Sequence, residues 1–167
     1  FALINRHFNK KEVMKKNGRK FFTLKYRGDL LRNFLLFPFR YFSCFRDTHL
    51  PTSYLKSTFQ RVWEEEGPLL EECGSHRFRS KGDLTHWLMK SWQICEGKFH
   101  SRSTAWGRHY ELWEDDLEEI SRNLERQKYH VVCLNDSKTD IDFEHTQRKL
   151  QESFHRILPE PSGFEIQ

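Results

Sequence analysis

Long apolar runs, paired cysteines and any strong imbalance of charge are all missing from this sequence, and each absence removes a class of protein. The most apolar stretch, "FLLFPFRYF" from Phe34, is interrupted by Pro38 and Arg40. It is far short of the roughly 20 residues that a membrane-spanning helix needs. No secretory signal opens the chain. The four cysteines, Cys44, Cys73, Cys95 and Cys133, lie far apart with no CxxC spacing and no Cys/His pairing. That spread argues against a structural zinc site and is that of reduced thiols in the cytoplasm. The 28 Lys and Arg against 24 Asp and Glu leave a net +4, well below the charge density of an obligate nucleic-acid binder. Neither GxGxxG, a P-loop, HExxH nor GxSxG occurs. There is no internal repeat and no low-complexity segment.

What is present is an aromatic-rich chain of 167 residues, long enough to bury a core. Fifteen Phe and five Trp argue for such a core and against disorder. The chain begins at Phe1, which is the expectation for a piece of something longer. Residues 5 to 27 mix Lys and Arg with aromatics. They read as a solvated connector anchored by Phe21, Phe22 and Tyr26, or as a face for an acidic partner such as anionic lipid or a polyanionic product. Asp29 is placed as the cap of a short helix, "LLRNFLLF".

Downstream, apolar residues recur at helical spacing. Leu55, Phe59, Val62 and Trp63 define a helix opened by Pro51 and ended by Gly67-Pro68, with a short helical turn after it. Asp83 opens another helix, whose buried stripe is Leu84, Trp87, Leu88, Trp92 and Cys95. The segment from Gly97, "GKFHSRSTAWGRH", reads as a loop. "EDDLEEISRNLERQ" is a helix with acids in its first turn and Arg126 near its end, matching the macrodipole. It buries Leu117, Ile120 and Leu124. "YHVVCL", residues 129 to 134, is a β-branched strand. A last helix from about Asp142 to His155 buries Phe143, Leu150 and Phe154, and stops before Pro159 and Pro161. The fold class is therefore α/β, mostly helical. Since one strand cannot make a sheet, its partners are either weak strands hidden in this chain or lie outside it.

Three places can carry chemistry. If Pro51 is the first helical residue, His49 lies just outside a helix N-terminus, where the dipole disfavours imidazolium and leaves a base. The ordinary alternative is a histidine that bonds the first-turn N–H groups. In "HRFRS", an extended segment would put Arg77 and Arg79 on one side and Phe78 on the other. Both guanidiniums, near the helix at Asp83, would suit a phosphate. The alternative pairs these arginines with the neighbouring glutamate runs, and makes Asp83 a plain helix cap. In "CLNDS", Asn135 and Asp136 follow a buried strand, at the end where open α/β sheets bind ligands. An Asx turn would explain them equally well. The consecutive acids, such as Glu64 to Glu66, fan around their helices and do not converge.

Taken together, "RDTHLPTSYLKSTFQRVWEEE", "HRFRSKGDLTHWLMKSWQICEGKF" and "VVCLNDS…LPEPSGFE" resemble the third and fourth conserved regions of the Stealth family. These are sugar-1-phosphate transferases. They include bacterial capsule and exopolysaccharide phosphotransferases and the eukaryotic enzyme that tags lysosomal glycoproteins with N-acetylglucosamine-1-phosphate. The stretch "KFFTLKYRGDLLRN" resembles the bacterial branch. The likeness runs from about Ile4 to Glu165, with the third region at about residues 40–100 and the fourth at about 128–165.

The resemblance implies part of a nucleotide-sugar-binding α/β transferase domain. It implies transfer of sugar-1-phosphate from a nucleotide-sugar, UDP-sugar favoured, to a hydroxyl of a growing capsular or exopolysaccharide, with nucleoside monophosphate leaving. It assigns the HxP histidine, His49, as base and Arg79 as a catalytic or phosphate-binding residue. Asp83, Asn135 and, as a neighbour, Asp136 are its substrate-binding residues, and Arg77 is placed with them from its position beside Arg79 in the sequence. No metal ligand is assigned. The Mg²⁺ or Mn²⁺ of the family is expected to be held by the two conserved regions missing here, so the fragment alone is expected to be inactive. The implied location is cytoplasmic, with peripheral contact with the inner face of the bacterial membrane or the capsule machinery, and no nucleic acid. Two rival readings stand beside it: a glycosyltransferase releasing nucleoside diphosphate, and a non-catalytic module that binds polyanions through Lys15, Lys16 and Lys20.

Overall fold

The computed structural model describes residues 1–46, 49–113, 115–136 and 141–164. Asp47, Thr48 and Ser137 of the motif segments lie outside the described residues. The chain divides into two compact units. One comprises residues 1–46 and 51–103; the other comprises His49 and Leu50 with the residues from Thr104 on.

The first unit is helical. It contains α1 (Ala2–His7), α2 (Lys10–Phe21), a 3₁₀ turn (Leu24–Tyr26), α3 (Asp29–Leu36), α4 (Lys56–Ser75) and α5 (His86–Cys95). The basic run read as a connector is instead helix α2. Asn9 caps it by accepting from Lys11 N, and Val13 and Phe21 turn inward. Its lysines are partly structural. Lys10 is buried, and its Nζ donates to the carbonyls of Leu36 and Phe39 at 2.5 and 3.0 Å, a cation closing the end of α3. Burial lowers the pKa of Lys10. Lys20 donates to the carbonyl of Gly97. Asp29 is the first residue of α3, and the cap position belongs to Gly28.

Both ends of α4 differ from the sequence reading. Helix α4 starts at Lys56, five residues after Pro51, because the side chain of Gln93 on α5 captures the lead-in backbone. Gln93 Oε1 accepts from Leu55 N at 2.9 Å, and its Nε2 donates to the Ser53 carbonyl at 3.1 Å. Nor does α4 stop at Gly67-Pro68. Its backbone kinks at Glu66, with φ −129° and ψ 23°, and helix resumes through Pro68 to Ser75. Proline is tolerated there because it falls in the first turn after the break, where no intrahelical N–H bond is required. The kink also leaves Glu66 buried, with Oε1 accepting from Arg6 at 2.5 Å and lying 2.6 Å from His7 Nε2. The Arg6 hydrogen bond, followed by that to His7, lowers the carboxyl pKa of Glu66.

The core of this unit is Ile4, Val13, Phe21, Phe42, Val62, Leu70, Leu88, Met89, Trp92 and Cys95. Leu88, Trp92 and Cys95 are as the helical stripe of α5 requires. Leu55 and Trp63, placed on the buried face of α4, are instead about half exposed at 45% and 46%.

The second unit is a βαβ arrangement with an added helix: β1 (Gly107–Glu111), α6 (Leu117–Glu125), β2 (Val131–Asn135) and α7 (Phe143–Ile157). The hidden partner strand is thus β1, whose first three residues lie in the segment read as a loop. It runs parallel to β2 with Gly107 opposite Val131, His109 opposite Cys133 and Glu111 opposite Asn135. Asp116 caps α6 and Asp142 caps α7, each accepting from a backbone N–H of the first turn.

Alternation divides the sheet into two faces. Tyr110 is buried and packs with Ile120, Leu124, Leu112, Val132, Leu134 and Leu150. His109, Glu111, Cys133 and Asn135 share the other face. Helix α7 presents Thr146, Leu150 and Ser153 inward, and Phe143 and Phe154 are 58% and 40% exposed. The small residues Thr146 and Ser153 let α7 approach closely, where phenyl rings would hold it off. Lys149–Glu118 at 2.7 Å and Arg156–Glu125 at 2.5 Å tie it to α6.

Candidate functional site

The polar face of the two-stranded sheet is where sequence-selected residues meet. Asn135 ends β2 directly opposite Glu111, the last residue of β1. Its Nδ2 donates to Glu111 Oε2 at 2.8 Å. The other oxygen of that carboxylate, Oε1, lies 3.3 Å from His109 Nε2. The separation is that of an ion pair, but the angles do not make a hydrogen bond, so this buried Nε2 has no hydrogen-bond partner among the described residues. Glu111 itself is fixed by the turn that follows, since its backbone N–H donates to Asp115 Oδ2 at 2.6 Å.

His49 joins this row from the segment before Pro51. Its imidazole stacks on that of His109, with ring centroids 4.7 Å apart and planes 29° apart. The backbone of His49 has φ +48°, in the left-handed region. Histidine enters that region more readily than most side chains, though at some cost, and such residues gather at functional sites. Leu50, the next residue, packs on Gly107 at the start of β1. A Cβ there would come within 2.8 Å of Leu50 Cδ1 and within 2.8 Å of the Val131 carbonyl oxygen. Glycine is needed for that close approach.

The helix-dipole argument for His49 therefore does not hold. With α4 beginning at Lys56 behind an uncapped Leu55, no helix N-terminus lies at Pro51. What orients His49 is a strained backbone and a stacked ring. The structure joins His49 and Asn135 through His109 and Glu111, which sequence reasoning missed. The available signal was the alternation in "GRHYE", masked by a glycine and three charged or ionisable residues in five. Asp136 does not join the row. It is exposed and lines an open groove of about 320 Å³ with Leu112, Leu134, Phe143 and Leu150.

Arg77, Arg79 and Asp83 belong to the first unit. Residues 76–83 form a bent loop instead of an extended strand, and Phe78 is 79% exposed, with the Arg77 guanidinium 5.5 Å from its ring. Arg79 is exposed and forms no ion pair among the described residues. Asp83 does not cap α5; Thr85 does, accepting from Trp87 N. Asp83 organises the arginine loop instead. It accepts from Ser80 N at 2.6 Å and Ser80 Oγ at 2.7 Å, and lies 2.7 Å from His76 Nδ1. The Ser80 backbone and hydroxyl bonds, with a smaller contribution from His76, hold its carboxyl at about 2. The loop thus presents Arg79 to solvent on a framework built by Asp83.

Among the described residues no group of three or more His, Cys, Asp or Glu is arranged to hold a metal ion. Within the row, His49 stacks on His109, His109 lies beside Glu111, and Glu111 accepts from Asn135.

Comparison with known proteins bears out the resemblance to bacterial polysaccharide phosphotransferases. The chain is 34% identical over 163 residues, 98% of its length, to the capsular polysaccharide phosphotransferase WcwK of Streptococcus pneumoniae. It is 34% identical over 166 residues, 99% of its length, to the receptor polysaccharide phosphotransferase WefC of Streptococcus gordonii. To the exopolysaccharide phosphotransferase cps2G of Lactiplantibacillus plantarum it is 30% identical over 164 residues, again 98% of the chain. The chain spans about half the length of the curated relatives it matches, 48% for WcwK and cps2G and 49% for WefC. No family model matches. No solved structure matches either.

Proposed function

From the premise that this chain is a homologue, over nearly its whole length, of bacterial capsular and exopolysaccharide phosphotransferases, we propose that it supplies the base of a sugar-1-phosphate transfer. In this reading an acceptor-glycan hydroxyl attacks the sugar-linked phosphorus of a nucleotide-sugar. A new phosphorus–oxygen bond forms to the acceptor, the pyrophosphate bridge breaks, and nucleoside monophosphate leaves. His49 takes the hydroxyl proton. Arg79 offers its guanidinium to the phosphate oxygens, and Asn135 lies near the donor. Phosphoryl transfer rests on positioning and charge stabilisation more than on covalent chemistry, and these side chains are of that kind.

The observation that carries the reading is the placement of His49. His49 is exposed, yet its backbone in the left-handed region and its stack on a second imidazole beside Glu111 and Asn135 orient its ring. Its stacking partner His109 shares a strand face with Glu111 and Asn135, which end the parallel strands where α/β sheets bind ligands. The divalent cation expected for the reaction has no fitting donor set among the described residues, and no step here runs through it.

Peripheral contact with a bilayer draws support from the first unit. No helix among the described residues is long and apolar enough to cross a membrane. Yet Leu31, Phe34, Leu35, Phe37 and Phe39, on and just after α3, are each more than half exposed, amid Arg27, Arg32 and Arg40. Exposed apolar side chains among basic ones suit an anionic lipid surface. The complete protein should float with anionic vesicles, and Phe34→Glu with Leu35→Glu should release it. Equal flotation of wild type and double variant would end the lipid reading.

The central test is nucleotide release. The longest natural reading frame containing this segment is incubated with Mg²⁺, an oligosaccharide acceptor and a panel of nucleotide-sugars, and products are resolved by anion exchange. Acceptor-dependent nucleoside monophosphate is expected. His49→Ala should lower turnover at least about 100-fold, the low end of general-base contributions. Nucleoside diphosphate would mean glycosyl transfer. Normal turnover by His49→Ala would remove the base assignment. The polyanion-module alternative must use Lys15 and Lys16, because Lys20 is engaged with the Gly97 carbonyl.

A further inference from the structure

We propose that His109 and Glu111 are positioning residues for His49, and that the row His49–His109–Glu111–Asn135 works as one unit. The inference rests on the reading of His49 as the base, and adds two residues that the HxP and CLND motifs do not contain.

Three independent features converge on it. First, strand alternation puts His109 and Glu111 on one face of β1, and the parallel register sets Glu111 against Asn135. Second, the Glu111 carboxylate is divided between two neighbours. Oε2 accepts from Asn135 Nδ2 at 2.8 Å, while Oε1 faces His109 Nε2 at 3.3 Å. Third, that Nε2 is buried without a hydrogen bond among the described residues, although a carboxylate oxygen stands within reach. A buried polar atom left so is costly and calls for an explanation. Catalytic hydrogen bonds are often long before substrate binds and tighten in the reacting complex. A small rotation of His109 toward Glu111 would complete the bond and turn the ring on which His49 rests.

The stack gives this movement a consequence. His49 follows its neighbour because its own backbone, at φ +48°, sits in a narrow well and its ring lies 4.7 Å from that of His109. Substrate engagement at Asn135 would thereby reach the base through Glu111 and His109.

The test uses the full-length enzyme and the nucleotide-release assay. His109→Ala should lower kcat at least about tenfold while the donor KM moves less than about threefold, the split expected when orientation and not binding is lost. His109→Phe keeps a flat ring under His49 but has no nitrogen to meet Glu111, and should recover only part of the loss. Glu111→Ala should resemble His109→Ala, and Glu111→Gln, which keeps an oxygen for Asn135, should fall between it and wild type. A kcat for His109→Ala within about twofold of wild type, or a His109→Phe as impaired as His109→Ala, would overturn the proposal. Should His109→Ala fail to fold, NMR of the His49 ring protons decides. Their ring-current shift should persist in His109→Phe and vanish in His109→Leu, and an unchanged shift in His109→Leu would refute the stack. That measurement does not depend on which nucleotide is released. Failure of the phosphotransferase reading, seen as nucleoside diphosphate or as full activity of His49→Ala, is therefore separable from failure of the positioning role.

Discussion

Replacing Gly107 by alanine should disable His49 without touching it. The added Cβ would stand 2.8 Å from Leu50 Cδ1 and 2.8 Å from the Val131 carbonyl oxygen, where ordinary contact begins at 3.4 Å. About 0.6 Å must therefore be found, by the overpacking argument. The Val131 side is backbone of the paired strand and in register with Gly107, so it gives little. Most of the displacement falls on Leu50, which adjoins His49. Overpacking of this kind costs about 1–3 kcal/mol. At about 2–4 °C per kcal/mol for a chain of this size, the midpoint of thermal unfolding should drop by roughly 2–12 °C. A misplacement of about 1 Å at a reacting group costs about 100-fold, so a partial shift of His49 should lower kcat about tenfold. Scanning fluorimetry and steady-state nucleotide release measure the two effects on the same preparation. If unfolding and kcat are both unchanged, Leu50 does not pack on Gly107. If only unfolding responds, the path from Leu50 to His49 carries nothing.

Two further outcomes follow from the first unit. The Asp83 carboxyl, at about 2 in the folded protein against an ordinary 3.8, is depressed, so its contribution to the arginine loop is present above about pH 4 and fades as pH falls toward 2. Hydrogen exchange at residues 77–82 should accelerate over that window in wild type and be fast throughout in Asp83→Ala; equal protection of both proteins at pH 6 would refute the role. Cys95, 3% exposed and with burial as the main cause pushing its thiol up to about 12, should resist iodoacetamide at pH 8 in the native state. Cys44 and Cys73 are part-exposed and should label first by mass spectrometry, and equal rates would show that α5 opens readily.

What was legible in the sequence was governed by local rules. The α5 stripe, the acidic first turn of α6 and the β-branched run of β2 each depend on residues a few positions apart. The motif segments likewise pointed to polysaccharide phosphotransferases, and relatives of that name match at 34% identity over 98% of the chain. Where the reading failed, a distant side chain had replaced a local one. Gln93 took the backbone groups that a helix opening at Pro51 would have used, and the Glu66 kink let α4 run past Pro68. Phe143 and Phe154 looked like core by size, but Thr146 and Ser153 are what face α6.

By itself, then, the sequence determined the helices from α3 on, one strand, the relatives, and His49 and Asn135 as candidate site residues. Only the tertiary structure decided that they belong together. "GRHYE" has little strand propensity of its own, and becomes β1 because Val131–Asn135 offers it a parallel edge and Tyr110 a core to enter. That pairing carries His109 and Glu111 to the same face as Asn135, and close packing of Leu50 on Gly107 brings His49 over His109. Such adjacency is a property of strand register and close packing between residues far apart in the chain, which no local periodicity records.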